Sequence, residues 1–290
     1  MPSIKAKRLL RWAGSALSIL AVIFIIDKLR DYGSEINYSL FASLFAPIIA
    51  LSFIYGASNL LLVFSWKDLL RHFGVTIDSR LALRLYGESQ LAKYVPGNIF
   101  HFVGRQVLGQ EAGLAAWPLG KSAIWEIGVL IATGCLFSIL VAPYFYPEIP
   151  IIFALVFFVV VVFAATWAAN RWFSRWVAQA IGRNTAFLIM SALIFLAVLM
   201  LVVPANLIQG PQAVVVCGAY VIAWLIGLLT PGAPAGAGVR EIVLYSLLHS
   251  VVKEADLLTV IVFGRIVTVG GDFLFYLMAM LAKARTAKSV

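Results

Sequence analysis

The 22 consecutive residues 149–170 contain no Asp, Glu, Lys or Arg. An α-helix needs about 20 such residues, at about 1.5 Å each, to cross the ~30 Å hydrocarbon core of a bilayer. Further apolar runs at about 9–29, 40–65, 117–142, 185–205 and 255–282 approach or exceed that length. Together they predict an all-α polytopic membrane protein with about six transmembrane helices. The linkers between them are short, too short for an extramembrane catalytic domain.

Composition agrees. The chain is 62% hydrophobic and 12% charged, where a soluble domain carries about 25% charge. The net charge of +9 comes mostly from Lys and Arg at the ends of apolar runs. That is the pattern of cytoplasmic loops and snorkelling anchors, so no nucleic-acid partner is expected. Cys135 and Cys217 sit inside apolar runs, and His72, His101 and His249 show no ligand spacing. Neither a disulfide, a metal site nor a cofactor is expected. Trp12, Tyr32, Trp66, Trp117, Tyr144, Trp172 and Trp176 stand near run ends and read as interface anchors.

Loop charges orient the helices. Lys5, Lys7, Arg8 and Arg11 precede the first run, which ends without a small-residue cleavage site and reads as an uncleaved helix. The N-terminus, the 66–80 loop (Lys67, Arg71, Arg80), the loop bearing Arg171, Arg175 and Arg183, and the C-terminus (Lys283, Arg285, Lys288) are placed inside. The turns at 143–148 and 204–212 have no Lys or Arg and are placed outside. The expected location is a prokaryotic inner membrane, with both termini cytoplasmic.

Two segments then begin and end on one side. Residues 81–112 return to the inside and residues 213–252 to the outside. Each reads as a re-entrant hairpin or a pair of crossings. In the first, the arm Leu81–Val95 is about 22 Å long if helical and carries Arg84, Glu88 and Lys93. It is too short and polar to face lipid across the bilayer. In the second, Ala213–Thr230 carries no charge and is able to span outright. Arg84 and Glu88, four apart, read as a local helix pair.

Both segments carry Pro-Gly followed by Arg: Pro96-Gly97 with Arg105, and Pro231-Gly232 with Arg240, at a constant offset of 135 residues. The same shift brings 9–29 near 149–170, 40–65 near 185–205, and 117–142 onto 252–277. The chain therefore reads as one membrane domain of two units, 1–142 and 143–290, each with three spans and a Pro-Gly hairpin. An odd number of crossings makes the two copies inverted, an arrangement many secondary transporters share, with the substrate site near the midplane.

Helices restarted at depth present unpaired N–H groups that favour anions, and Arg suits phosphate or carboxylate. The expected head-group site is thus Arg105, Arg240, Pro96, Gly97, Pro231, Gly232, Gly236, Gly238 and Lys93. The competing reading has both arginines bracing the hairpins against Glu126, Glu241 or Asp272. Glu126, Arg265 and Asp272 lie inside full spans, where a charge costs at least ~2.5–3.5 kcal/mol and needs a partner. With Glu241 they form the expected intramembrane charge network, either structural or ion-coupling. Lys93 is expected at the cytoplasmic mouth. His101 is able to line a cavity but reads more simply as structural.

The segments KYVPGNIFHFVGR and PGAPAGAGVREIVLYSLL resemble the "YxPG…R" and "PGGxGxRE" motifs of the lysylphosphatidylglycerol synthase transmembrane-region family. The resemblance covers nearly the whole chain in layout. Pro96, Gly97 and Arg105 match the first motif; Pro231, Gly232, Gly236, Gly238, Arg240 and Glu241 match the second. Asn98-Ile99 and Ala233-Pro234 depart from the small glycines common there, so the lipid is not specified. The family includes the lipid-flipping half of the multiple peptide resistance factor, and the resemblance implies a flippase-like protein acting on membrane lipids. Anionic or zwitterionic phospholipids, or polyprenyl-phosphate-linked lipids, are the implied partners, with lipid or polysaccharide biosynthesis enzymes as possible associates. The family's soluble aminoacyl-transferase domain has no counterpart here, so lipid aminoacylation is not expected.

The leading expectation is a lipid translocase. With no GxxxxGK[ST] loop in the sequence, ATP is not the expected driver. The rivals are a membrane transferase using a lipid-phosphate donor, with Glu126 or Glu241 as base, and a scaffold subunit of a lipid- or polysaccharide-synthesis complex.

Overall fold

The computed structural model describes residues 38–95, 99–204, 208 and 210–287. The expected helix 9–29, the anchors Trp12 and Tyr32, and the Pro96-Gly97 break lie outside the described residues. Those that are described fold into helices and turns without a strand. In chain order they are α1 (Tyr38–His72), α2 (Ser79–Gln90), a 3₁₀ turn (Leu91–Tyr94), α3 (Phe100–Glu111), α4 (Ala116–Leu136) and α5 (Ser138–Phe145). There follow α6 (Ile151–Trp172), α7 (Arg175–Val202), α8 (Gly210–Leu229), a 3₁₀ turn (Pro234–Gly236), α9 (Val239–Leu248) and α10 (Glu254–Ala287).

Among the described residues six stretches are long and apolar enough to cross a membrane: 43–72, 116–145, 151–172, 175–202, 210–229 and 254–281. They fit a multi-pass membrane protein. Five correspond to expected spans. The sixth, α8, is the uncharged arm of the second Pro-Gly segment. Its 20 residues meet the length for a crossing, and α9 packs back against it.

Local chemistry explains several boundaries. Asp78 caps α2 by accepting from the Leu81 amide at 2.8 Å, and Ser174 caps α7 by accepting from Val177 at 3.3 Å. The helix expected at 185–205 starts ten residues earlier, at Arg175. Arg183 and Asn184 look like loop residues in sequence, yet both are inside α7 and bonded to α1. Arg183 pairs with Asp68 and donates to the Phe64 carbonyl at 3.0 Å; Asn184 donates to Ser65 Oγ at 2.6 Å. The helix expected at 117–142 is interrupted at Phe137. Trp66, read as an interface anchor, is 1% exposed and donates to Ser122 Oγ at 3.0 Å. Its indole N–H is satisfied in the bundle interior rather than at a lipid boundary. Trp117 and Trp172, by contrast, are both 73% exposed.

α1 is the central helix, packed against α7 and α10. Apolar helices in lipid gain little from hydrophobic burial, so close approach of backbones matters more. Gly56 and Gly271 supply it: a Cβ on Gly271 would lie 2.7 Å from the Ser52 carbonyl oxygen and 2.7 Å from the Tyr55 ring. Gly87 meets Ala279 in the same way where α2 rests on α10. α6 packs on α5 and α7 and turns Phe153, Val156, Val160, Phe163 and Trp167 outward, an apolar face suited to lipid.

Gly271→Ala is expected to force α1 and α10 apart and destabilise the protein by about 1–3 kcal/mol. Thermal unfolding in detergent will read this as a lowered midpoint. Gly182→Ala, at a helical site with nothing within 4 Å of the added carbon, will leave the midpoint unchanged or raise it slightly.

Candidate functional site

The turn after α8 is wound tightly. Gly232, Gly236 and Gly238 have φ of 89°, 70° and 82°, in the left-handed region that glycine enters without a side-chain penalty. Gly236 also presses on α8: an added Cβ would lie 2.7 Å from Gly227 Cα. Ala235 is the exception, a non-glycine at φ 48°, which carries a local strain cost. Arg265 of α10 holds it there by donating from both terminal nitrogens to the Ala235 carbonyl at 3.2 Å.

The same arginine pairs with Glu241 through Nε. The other carboxylate oxygen of Glu241 accepts from the Gly238 amide at 2.5 Å, capping α9. The positive helix end that sequence reasoning offered to an anion is therefore occupied by a carboxylate of the chain itself.

A second node forms around Asp272, which is 1% exposed. Lys93 Nζ lies 2.6 Å from Oδ2, and the Tyr94 hydroxyl donates to the same oxygen at 2.5 Å. Gln90 donates to Oδ1 at 3.0 Å and Asn59 at 3.4 Å. Lys93 is thus bound to a buried carboxylate.

A third node holds Arg105, 2% exposed, against Glu126, also 2% exposed. Tyr86 donates to the other Glu126 oxygen at 2.8 Å. The Arg105 guanidinium is stacked over Tyr86 at 4.2 Å and Trp66 at 4.8 Å. The bracing reading offered for both arginines therefore describes Arg105.

Arg240 differs. It is 5% exposed and lies over the Tyr220 ring at 4.5 Å. Its polar neighbours are Tyr220, Tyr55 and the already committed Glu241. No carboxylate lies within ion-pair distance of it among the described residues. Effective desolvation of a buried ion costs several kcal/mol, and a desolvated cation–π contact returns about 2 kcal/mol. Stacking alone does not balance the charge.

All three nodes and Arg240 border one cavity between α1, α2, α3, α4, α7, α8, α9 and α10. Tyr55, Lys93, Glu126, Trp224, Arg240 and Asp272 are among its lining residues. The two 3₁₀ turns touch each other beside it, so the described parts of both Pro-Gly segments meet there. Arg265 and Asp272, seven apart on α10, both face it. Its volume is about 60 Å³, room for a few waters but far below the ~300–1,000 Å³ of sites that hold drug-sized ligands.

Of the expected site residues, Lys93, Arg240, Arg265, Asp272 and Glu126 line the cavity, while Arg105 and Glu241 stand behind it as partners. Pro231 and Gly232 shape the turn; Pro96 and Gly97 lie outside the described residues. Sequence reasoning missed Asn59, Gln90, Tyr94, Tyr86 and Tyr220. Asn59 and Gln90 left a readable trace, since amide side chains in membrane helices usually hydrogen-bond across the bundle. No protein-family model matches the chain, and no curated protein is significantly similar to it.

Removing one partner of a buried pair leaves an uncompensated charge. Glu126→Ala is expected to destabilise the protein by about 3–5 kcal/mol. Glu126→Leu combined with Arg105→Met will recover most of that loss, measured by unfolding in detergent.

Proposed function

We propose that this chain is a lipid translocase of a prokaryotic inner membrane, with both termini cytoplasmic. The carrying observation is the charge-lined cavity beside two touching helix breaks, inside a bundle of membrane-length helices. A polar cavity inside such a bundle needs a polar occupant, and a lipid offers a head group there while its tails remain in the bilayer. The small cavity then corresponds to a closed conformation, and the head group enters when the halves of the bundle move apart.

Element order supports an inverted repeat. Shifted by 135 residues, α1 falls on 173–207, against α7 at 175–202. Likewise α2 falls on 214–225, within α8; α3 on 235–246, against α9 at 239–248; and α4–α5 on 251–280, against α10 at 254–287. On this reading α2–α3 and α8–α9 are the two re-entrant hairpins, one entering from each face. The resemblance of the two Pro-Gly motifs to the lysylphosphatidylglycerol synthase transmembrane-region family points the same way. The transferase reading is weaker, because Glu126 and Glu241 are both held by arginines and neither is free to act as a base.

The test is flipping of fluorescent phospholipids and polyprenyl-phosphate lipids in proteoliposomes. The wild type is expected to flip at least one of them, and Arg240→Ala to slow it at least tenfold. Folded wild-type protein that moves neither lipid class would overturn the translocase reading.

A further inference from the structure

The two arginines of the repeat differ in one respect that charge counting exposes. Arg105 on α3 stacks on Tyr86 of α2, and Arg240 on α9 stacks on Tyr220 of α8. Glu126 of α4 neutralises Arg105. The position 135 residues after Glu126 is Ile261 of α10, which is apolar and 3% exposed. The second half thus repeats the cation and its aromatic bed but not the carboxylate.

Around the cavity the cations are Lys93, Arg105, Arg240 and Arg265, and the carboxylates are Glu126, Glu241 and Asp272. Each carboxylate is taken by a cation other than Arg240. The described residues leave a formal excess of one positive charge, located at Arg240. On the same cavity wall, His101 has a buried Nδ1 without a hydrogen-bond partner among the described residues. The charges acting on His101 are positive, Arg105 and Lys93, so neither is an acceptor for it.

Building on the translocase reading, we infer that Arg240 is the docking site for the phosphodiester of a lipid head group whose net charge is −1, in the cavity that His101 also lines. A phosphodiester carries one negative charge on two free oxygens, which matches the single excess charge and the planar fork of arginine. His101 adds a polar atom to the wall of the same cavity. A zwitterionic head group would bring its ammonium into a cavity whose carboxylates are all committed. A phosphomonoester would bring more negative charge than the cavity balances.

The test is binding to the purified full chain by microscale thermophoresis. The probes are dioctanoyl phosphatidylglycerol, dioctanoyl phosphatidylcholine, dioctanoyl phosphatidic acid and inorganic phosphate. Phosphatidylglycerol is expected to bind at least tenfold more tightly than each of the others. Arg240→Gln will abolish that preference, and His101→Phe will weaken it severalfold. Ile261→Glu is the sharper variant, because it supplies the missing carboxylate while keeping Arg240, and it too will abolish the preference. A single cooperative thermal transition verifies that each variant is folded.

Equal binding of phosphatidylglycerol and phosphatidylcholine, or a preference that survives both Arg240→Gln and Ile261→Glu, would overturn the site. Inorganic phosphate binding as tightly as phosphatidylglycerol would overturn its assignment to a lipid. Because binding is read without transport, the two readings fail separately. The preference without flipping removes the translocase and keeps the site; flipping without the preference does the reverse.

Discussion

A charge placed among apolar helices needs its opposite nearby, and the interior of this protein depends on that requirement. In lipid, helices gain little by hiding apolar surface from one another. The described helices are held together instead by small-residue contacts such as Gly56 on Gly271 and by ion pairs between elements. Lys93 joins the first 3₁₀ turn to Asp272 of α10, Arg105 joins α3 to Glu126 of α4, and Arg265 joins α10 to Glu241 of α9. These pairs fix the short, broken segments that packing alone would hold poorly. α2, α3 and α9 have only 12, 12 and 10 residues.

The PGAPAGAGVRE turn follows from the same requirement. Pro231 and Gly232 end α8, and Gly236 lets the chain touch Gly227. Gly238 places its amide on the Glu241 carboxylate, which also receives Arg265. One carboxylate caps a helix and neutralises a cation. That double role explains why Glu241 is unavailable to its sequence neighbour Arg240, and why Arg240 is left facing the cavity.

The membrane-length helices were largely legible in the sequence, because apolarity along a run is a one-dimensional property. Boundaries were less so. Arg183 and Asn184 read as loop because their partners on α1, Asp68 and Ser65, are more than a hundred residues away. Trp66 read as an anchor because only the fold shows Ser122 and Arg105 beside it. The site was legible as a set of residues, since an ionisable group in an apolar run is conspicuous. Their pairing was not. Glu126, Glu241 and Asp272 were each plausible for either motif arginine, and three-dimensional placement gave Glu126 to Arg105 and the other two to Arg265 and Lys93.

Pairing also bears on how the proposed transport cycle works. Of the three ion pairs at the cavity, Arg105–Glu126 lies within 38–145 and Arg265–Glu241 within 151–287. Lys93–Asp272 joins the two halves at the cavity, as Arg183–Asp68 does away from it. Asn59, Gln90, Lys93 and Tyr94, all from the first half, converge on that one carboxylate of the second. Rigid halves that rock past each other keep their internal pairs and must rearrange this junction. Several donors around one acceptor suit that movement, because contacts are exchanged one at a time and the carboxylate need not be left bare. Asp272 is then the pivot of the proposed cycle, and Arg240, on the wall of the same cavity and paired with no carboxylate among the described residues, is the group proposed to hold the passenger.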